Sequence, residues 1–231
     1  MPSPPLAAIS WRPCYRIVPS RFPPISLFED VADPDDLEAI YAIEAMTNDR
    51  LRDEVGDLRL VVDADRVSGP GTSAIMAAFT HLNPEGDRFT DGSYGVFYAA
   101  RTLETAIAET CFHRARFLAL TGEPPQELDM RVYAADLDAN LHDIREGASG
   151  FEALHDPGSY AVSQPFARFL REKGAEGIVY SSVRDEGGQC AALFRPRLLS
   201  NCRQEQHLCY VWDGEAISGV YEKRSFKAWP G

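Results

Sequence analysis

The strongest constraint on the fold lies in residues 87–114, which read DRFTDGSYGVFYAARTLETAIAETCFHR. A polar turn with two glycines leads into the apolar run GVFYAA, which predicts a short strand. A helix is predicted to begin near Thr102, because hydroxyl and acidic side chains in a first turn suit the unpaired N–H groups of a helix start. The segment therefore predicts a turn, a strand and a helix in direct succession.

Each of these three elements carries one polar side chain of chemical interest. Arg88 lies in the turn, Tyr98 in the strand, and Glu109 two turns into the helix beside apolar positions. Burying an unpaired charge is costly, so a carboxylate this close to a buried face suggests a site. The alternative is an ordinary strand–helix unit with a solvated glutamate and a tyrosine packed at its edge. The residues alone leave both interpretations open.

The overall charge restricts the classes of partner. The chain of 231 residues has 35 acidic and 23 basic side chains, a formal net charge of −12. This argues against non-specific binding to nucleic acid or to an anionic membrane. With 45% apolar residues, the chain can build one large domain or at most two small ones.

The sequence predicts a cytoplasmic protein without a membrane segment. It has no apolar run of about 18 residues, and residues 1–13 lack the pattern of a secretory signal. The five cysteines are scattered and form no CxxC pair, which argues against a zinc site or a disulfide framework.

The remaining pattern predicts a single α+β domain. Residues 1–13 are rich in proline and are predicted to form an irregular arm. Residues 57–71 are predicted to contain a short strand. We predict helices at 35–55, 72–82 and 163–174, and strands at 14–19, at 126–138, within 176–196 and in a hairpin over 207–226. Helices thus cluster early and strands late, which argues against regular βαβ winding.

The segment VYSSVRDEGG, residues 179–188, is a candidate phosphate site. It ends a predicted strand with two hydroxyls, an arginine and a glycine pair, and such groups bind pyrophosphate well. A polar hairpin turn is an equally good interpretation. No GxGxxG or Walker pattern accompanies it, which argues against an ordinary dinucleotide fold.

Metal and nucleophile chemistry find little support. The five histidines show no metal-ligand spacing, so no metal site is predicted. Cys111 and His113 lie two residues apart, on different faces of the predicted helix. A hydrolase that uses either residue is kept as an alternative without further support.

Three motifs in order resemble the RES domain, a family named for an arginine, a glutamate and a serine. They are YR near the start, DRF…GVFYAA…TAIAE, and GIVYSSVRDEGGQCAALF, and together they span residues 15–196. On this resemblance, the functional positions of the family fall on Arg88, Tyr98, Glu109, Ser182 and the early pair Tyr15 and Arg16.

The resemblance implies a fold and an activity. RES proteins are toxins of bacterial toxin–antitoxin pairs, with an ADP-ribosyltransferase-like fold that binds and cleaves NAD+. The implied fold is a single RES domain over residues 1–231, with mixed and antiparallel split β-sheets and flanking helices. The ADP-ribose would pass to water, phosphate or a protein, and ribose-phosphate pyrophosphokinase is a candidate acceptor for long forms such as this chain.

The resemblance also assigns roles to the residues. The implied catalytic residues are Glu109, Arg88 and Tyr98, and the implied NAD+ contacts are Tyr15, Arg16, Arg88, Tyr98 and Ser182, with no metal. These roles suit the chemistry. A carboxylate stabilises the oxocarbenium-like charge that forms when the nicotinamide–ribose bond breaks. Arginine forks grip a pyrophosphate, and a tyrosine ring stacks on the nicotinamide or ribose.

The sequence departs from the family in a helical insertion over residues 20–86, typical of a long form, and in Phe89, where many members have tryptophan. The implied partner is an antitoxin with an Xre-like DNA-binding domain that occludes the NAD+ cleft in a hetero-oligomer. DNA contact would then belong to the antitoxin. The alternative from another class is a non-catalytic module that binds a nucleotide or captures a partner.

Overall fold

A computed structural model of the protein describes residues 3–20, 56–145 and 150–224. The predicted helix at 35–55, and with it most of the predicted insertion, lies outside the described residues. Within the described ranges, no helix is both long enough and apolar enough to cross a bilayer.

The described residues form one mixed seven-stranded sheet with three α-helices. In chain order the elements are β1 Leu6–Pro19, α1 Thr72–Thr80, β2 Phe97–Ala100, α2 Leu103–Thr121, β3 Gln126–Asp143, α3 Ser163–Glu172, β4 Gly177–Ser181, β5 Gln189–Leu193, β6 Leu199–Trp212 and β7 Ile217–Lys223. The strand order is β1-β2-β5-β4-β3-β6-β7, and β1 also pairs with β3. The predicted α+β class with a mixed sheet and flanking helices is confirmed.

Strands β1 and β3 close a circuit of pairings. β3 runs antiparallel to β1 along one edge, and along its other edge it pairs with β6 and then, in parallel, with β4. The other edge of β1 meets β2 where Tyr15 pairs with Ala100. This circuit brings the start of the chain against β2, the strand that carries Tyr98.

The predicted irregular arm at residues 1–13 is wrong from Leu6 onward, because β1 begins there. The prolines that suggested an arm fit the strand for a physical reason. Three of them, Pro2, Pro4 and Pro5, precede it in the sequence. The fourth, Pro13, falls at the register shift between Trp11 and Cys14. A residue without an N–H breaks no ladder bond at such an irregularity.

The sheet separates two hydrophobic cores. On β4, Val179 packs into one core, while Ile178 and Tyr180 pack into the other, as expected when successive side chains point to opposite faces. Helix α1 covers the first core, and α3 covers the second. Helix α2 also packs against the second core, through Ala106.

The predicted strand within residues 57–71 is wrong. The segment instead forms two 3-10 turns, Leu58–Leu60 and Asp63–Asp65. Aspartate side chains favour such turns because they bond the local backbone, as Asp57 does with the N–H of Arg59. Asp65 is buried and accepts hydrogen bonds from Arg195 at 2.8 Å and Arg197 at 2.7 Å, which ties the segment to the far end of the chain.

The other described predictions are confirmed, with shifted boundaries. Helix α1 corresponds to the helix predicted at 72–82, α3 to that at 163–174, and β6 with β7 to the final hairpin. The strand predicted at 126–138 continues to Asp143 as β3. Helix α2 begins where predicted, since the Thr102 side chain accepts a hydrogen bond from the N–H of Thr105.

Gly95 lies in the loop between α1 and β2, and of the glycines in that loop it has the least space for an added Cβ. A Cβ at this position would lie 2.3 Å from Cα of Phe79 and 2.5 Å from the carbonyl of Ala78, both backbone atoms of α1. We expect Gly95→Ala to lower the free energy of unfolding by about 2–3 kcal/mol in urea denaturation.

Gly219→Ala is the matched control, because the atom nearest to its added Cβ is the Tyr221 hydroxyl at 3.5 Å. We expect this substitution to change stability by less than about 0.5 kcal/mol. Equal effects of the two substitutions would contradict the close backbone approach at Gly95.

Candidate active site

A cleft of about 940 Å³ opens where β1, the loop before β2, β2 and α2 meet. Its volume falls in the range of about 300–1,000 Å³ that is usual for small-molecule sites. Five of the six predicted site residues line it, namely Tyr15, Arg16, Arg88, Tyr98 and Glu109. The sixth, Ser182, does not line the cleft, but its hydroxyl donates a hydrogen bond to Glu109, which does.

Arg88 is a buried cation, with 7% of its surface exposed. Its Nη1 donates to the carbonyls of Leu154 at 3.0 Å and Asp156 at 2.9 Å, and its guanidinium lies 5.0 Å from the ring centroid of Tyr160. Among the described residues it forms no ion pair with a carboxylate. A buried charge without a counter-ion is costly, so this position favours an anionic ligand.

Arg16 lines the same cleft and is held by β2. Its Nη1 donates to the carbonyl of Tyr98 at 3.2 Å, and its guanidinium lies 4.8 Å from the ring centroid of Phe97. The Tyr98 hydroxyl accepts a hydrogen bond from the N–H of Phe89 at 2.9 Å. Tyr98 thus holds Arg16 through its backbone carbonyl, and it holds the loop that carries Arg88 through its hydroxyl.

The Tyr98 phenol keeps its proton. Burial, together with the nearby Asp87 carboxylate, raises the pKa of Tyr98 well above its ordinary value. The phenol is therefore a neutral hydrogen-bonding group and an aromatic face rather than a base.

Glu109 is oriented by Ser182. The Ser182 Oγ donates to Oε1 of Glu109 at 2.6 Å, and accepts from the N–H groups of Arg184 and Asp185, both at 3.1 Å. A hydroxyl offers one donor and two acceptor positions, and these three bonds use all of them. The implied contact of Ser182 with NAD+ would displace one of them, so we interpret Ser182 as the residue that orients Glu109.

His113 lines the cleft one helical turn after Glu109, although the sequence motifs did not predict it as part of this site. Burial, helped by four arginines at positions 184, 114, 88 and 116, lowers the pKa of His113 to about 4. The imidazole is therefore neutral near pH 7. The sequence contained a signal for this position. His113 is four residues after Glu109, so the two share a helix face, and two arginines follow it at positions 114 and 116.

Arg184 adds a further positive charge beside Glu109. Its guanidinium lies 3.3 Å from the ring centroid of Phe112 and donates to the carbonyl of Pro157. Burial lowers the pKa of Arg184, while the charge of Glu109 opposes that shift. The cleft itself is lined by four arginines and three acids, namely Arg16, Arg88, Arg114, Arg116, Glu85, Asp87 and Glu109.

The alternatives based on a metal or a cysteine gain no support. No three His, Cys, Asp or Glu side chains come together as ligands within the described ranges. The predicted absence of a metal stays a prediction. Burial raises the pKa of Cys111 to about 11, so its thiol is protonated near neutrality and is a poor nucleophile.

Fold and cleft together define an α+β protein whose cleft holds a buried arginine, a phenol and an oriented carboxylate. The RES domain family matches residues 63–213, well over half of the chain. The chain therefore belongs to the RES domain family. Tyr15 and Arg16 precede the matched residues, and β1 brings them to the cleft.

Two further similarities were found. Uncharacterized protein y4oC of Sinorhizobium fredii (strain NBRC 101917 / NGR234) is 34% identical over 209 residues, which cover 90% of this chain and 86% of that protein. A chain in the crystal structure of the M. tuberculosis MbcT–MbcA toxin–antitoxin complex has a TM-score of 0.46 and 9% identity, covering 90% of this chain and 87% of that chain. That TM-score is too low to support an inference about this chain.

The low pKa of His113 predicts acid sensitivity. The unfolded chain takes up this proton near pH 6.5 and the folded protein only near pH 4, so stability falls as the pH drops through that window. We expect His113→Gln to reduce the stability lost between pH 7 and pH 5 by about 1–2 kcal/mol, measured by urea unfolding at both values. An unchanged loss would show that neither burial nor the arginines lower the pKa of His113.

Proposed function

We propose that the protein is a toxin that binds NAD+ in this cleft, cleaves the nicotinamide–ribose bond and so arrests growth. The observation that carries the proposal is the meeting, in one cleft, of a buried arginine without a carboxylate partner among the described residues and a carboxylate oriented by hydrogen bonding. The first suits an anionic ligand, and the second suits a cationic transition state. The chain belongs to the RES domain family, and its resemblance to members that cleave NAD+ suggests NAD+ as the substrate.

Pyrophosphate binding would fall to Arg88 and Arg16. The two arginines are linked through Tyr98 and Phe89, so a pyrophosphate between them would meet two preorganised cations. The Arg88 charge, already desolvated, would gain its missing counter-ion. The neutral His113 can approach the same anion without adding charge.

Bond cleavage would fall to Glu109. When the bond between ribose C1′ and the nicotinamide nitrogen breaks, its electron pair neutralises the pyridinium and leaves positive charge on the ribose. A carboxylate stabilises that charge in a site where burial strengthens electrostatic interactions. Ser182 would hold Oε1 of Glu109 and leave the other oxygen for the sugar or the incoming nucleophile. Tyr98 offers a ring face for stacking.

The acceptor of ADP-ribose is proposed to be water, phosphate or a protein, with ribose-phosphate pyrophosphokinase as the protein candidate. The partner is proposed to be an antitoxin with an Xre-like DNA-binding domain that covers the cleft in a hetero-oligomer and makes any DNA contact. The cleft rim supports a protein contact, since Phe117 and Leu120 both line it and are 44% and 77% exposed.

Nicotinamide release tests the reaction. Purified protein, free of its partner, should release nicotinamide from NAD+, measured by chromatography. We expect Glu109→Gln to lower kcat by about 100-fold or more, because it removes the charge that stabilises the transition state while the NAD+ affinity changes little. Arg88→Ala should weaken NAD+ binding, measured by calorimetry.

Glu104→Gln is the matched control, since Glu104 is an exposed acid in the first turn of the same helix, outside the cleft lining. It should keep wild-type activity and growth arrest, whereas Glu109→Gln should lose both. NAD+ that binds but stays intact would point instead to a non-catalytic module. Absence of binding would contradict the proposal. With labelled NAD+ and cell extract, label on a protein or on free ADP-ribose distinguishes the acceptors.

A further inference from the structure

The turn that carries Ser182 is joined to α2 by two side-chain hydrogen bonds. Ser182 donates to Glu109, and the Thr105 hydroxyl donates to Oδ2 of Asp185, both at 2.6 Å. Thr105 and Glu109 are four residues apart, so they lie on the same face of the helix. The turn is therefore attached to the helix at two points, one helical turn apart.

The hydrogen bond from Thr105 to Asp185 is oriented by Thr102. The Thr102 hydroxyl accepts a hydrogen bond from the N–H of Thr105 at 3.2 Å, and the two threonine hydroxyls lie 2.9 Å apart. Thr102 can therefore donate to the Thr105 oxygen, which leaves the Thr105 proton for Asp185. Thr105 is only 1% exposed, so water does not compete for this bond.

Asp185 is in turn tied to Ser182. The N–H of Asp185 donates to the Ser182 Oγ at 3.1 Å, so the position of Asp185 helps to fix the serine hydroxyl. Gly188 closes the other side of the turn. A Cβ there would lie 2.6 Å from Oδ2 of Asp185 and 2.8 Å from Oγ1 of Thr105. The bond between Thr105 and Asp185 is therefore packed against the backbone of Gly188, with no space for a side chain.

We propose that Thr105 and Asp185 are positioning residues that hold Glu109 in its reactive orientation through Ser182. This inference rests on the proposed function for its kinetic consequence. Neither residue lines the cleft, so both act at a distance from the substrate. Together they fix the turn whose hydroxyl occupies one oxygen of the Glu109 carboxylate.

Four substitutions test the proposal in steady-state kinetics of NAD+ cleavage. Two remove a hydrogen-bonding group, and two are conservative and keep it. Thr105→Val and Asp185→Ala each remove one side of the bond, and we expect kcat to fall about 10- to 100-fold while KM stays within about 2-fold. Thr105→Ser keeps the donor and Asp185→Asn keeps an acceptor oxygen, so both should retain activity near that of the wild type.

Glu186→Ala is the matched control, because Glu186 is the exposed acidic neighbour of Asp185 in the same turn. It should retain wild-type kinetics. Equal kinetics of Thr105→Val and the wild type would overturn the proposal. So would a parallel loss of NAD+ affinity, or failure of Thr105→Ser to keep activity, since either marks a merely structural contact.

A crystal structure of Asp185→Ala gives a readout that does not depend on catalysis. We expect the distance between the Ser182 Oγ and the Glu109 carboxylate to lengthen beyond about 3.5 Å, the limit of a hydrogen bond. A bond kept at its wild-type length would overturn the positioning role. Failure of the proposed function would show differently, as a wild-type protein that releases no nicotinamide.

Discussion

The buried guanidinium of Arg88 is the interaction on which the site depends. Two backbone carbonyls and the ring of Tyr160 hold it, and these groups carry no negative charge to compensate it. Within the described ranges it has no carboxylate partner, although acidic residues outnumber basic ones in the chain. A protein retains such an arrangement at a cost in stability, and a bound anion would remove that cost.

The rest of the cleft follows from how the chain surrounds this cation. The loop that carries Arg88, the strand with Tyr98 and the helix with Glu109 are consecutive, so short connections keep them together. The long pairing of β1 with β3 then brings Arg16 against the carbonyl of Tyr98. The turn after β4 supplies Ser182, which orients the carboxylate. Local and distant elements thus contribute different groups to the same site.

This difference explains what the sequence could and could not predict. The strand with Tyr98 and the helix that begins at Thr102 depend on neighbouring residues, and the structure has both where the pattern places them. The strand character of residues 6–13 depends on β3, more than 100 residues away, so local proline content gave the wrong answer. The strand expected in 57–71 failed for a similar reason, because the partners of Asp65 lie at positions 195 and 197.

The site shows the same limit. Resemblance to the RES family predicted both Glu109 and Ser182 as site residues, but only the structure shows that Ser182 orients Glu109. The cationic surroundings of His113 and the bond from Thr105 to Asp185 join residues that no short motif connects. The extent of the single domain over residues 1–231 and the helical insertion at 20–86 stay predictions, since residues 21–55 are outside the described ranges.

The most direct test is a crystal structure of Glu109→Gln with NAD+, in which slow turnover preserves the substrate. We expect pyrophosphate oxygens within about 3 Å of both Arg16 and Arg88, and the nicotinamide ribose against the side chain at position 109. NAD+ bound away from Arg88, or an empty cleft at saturating NAD+, would contradict it.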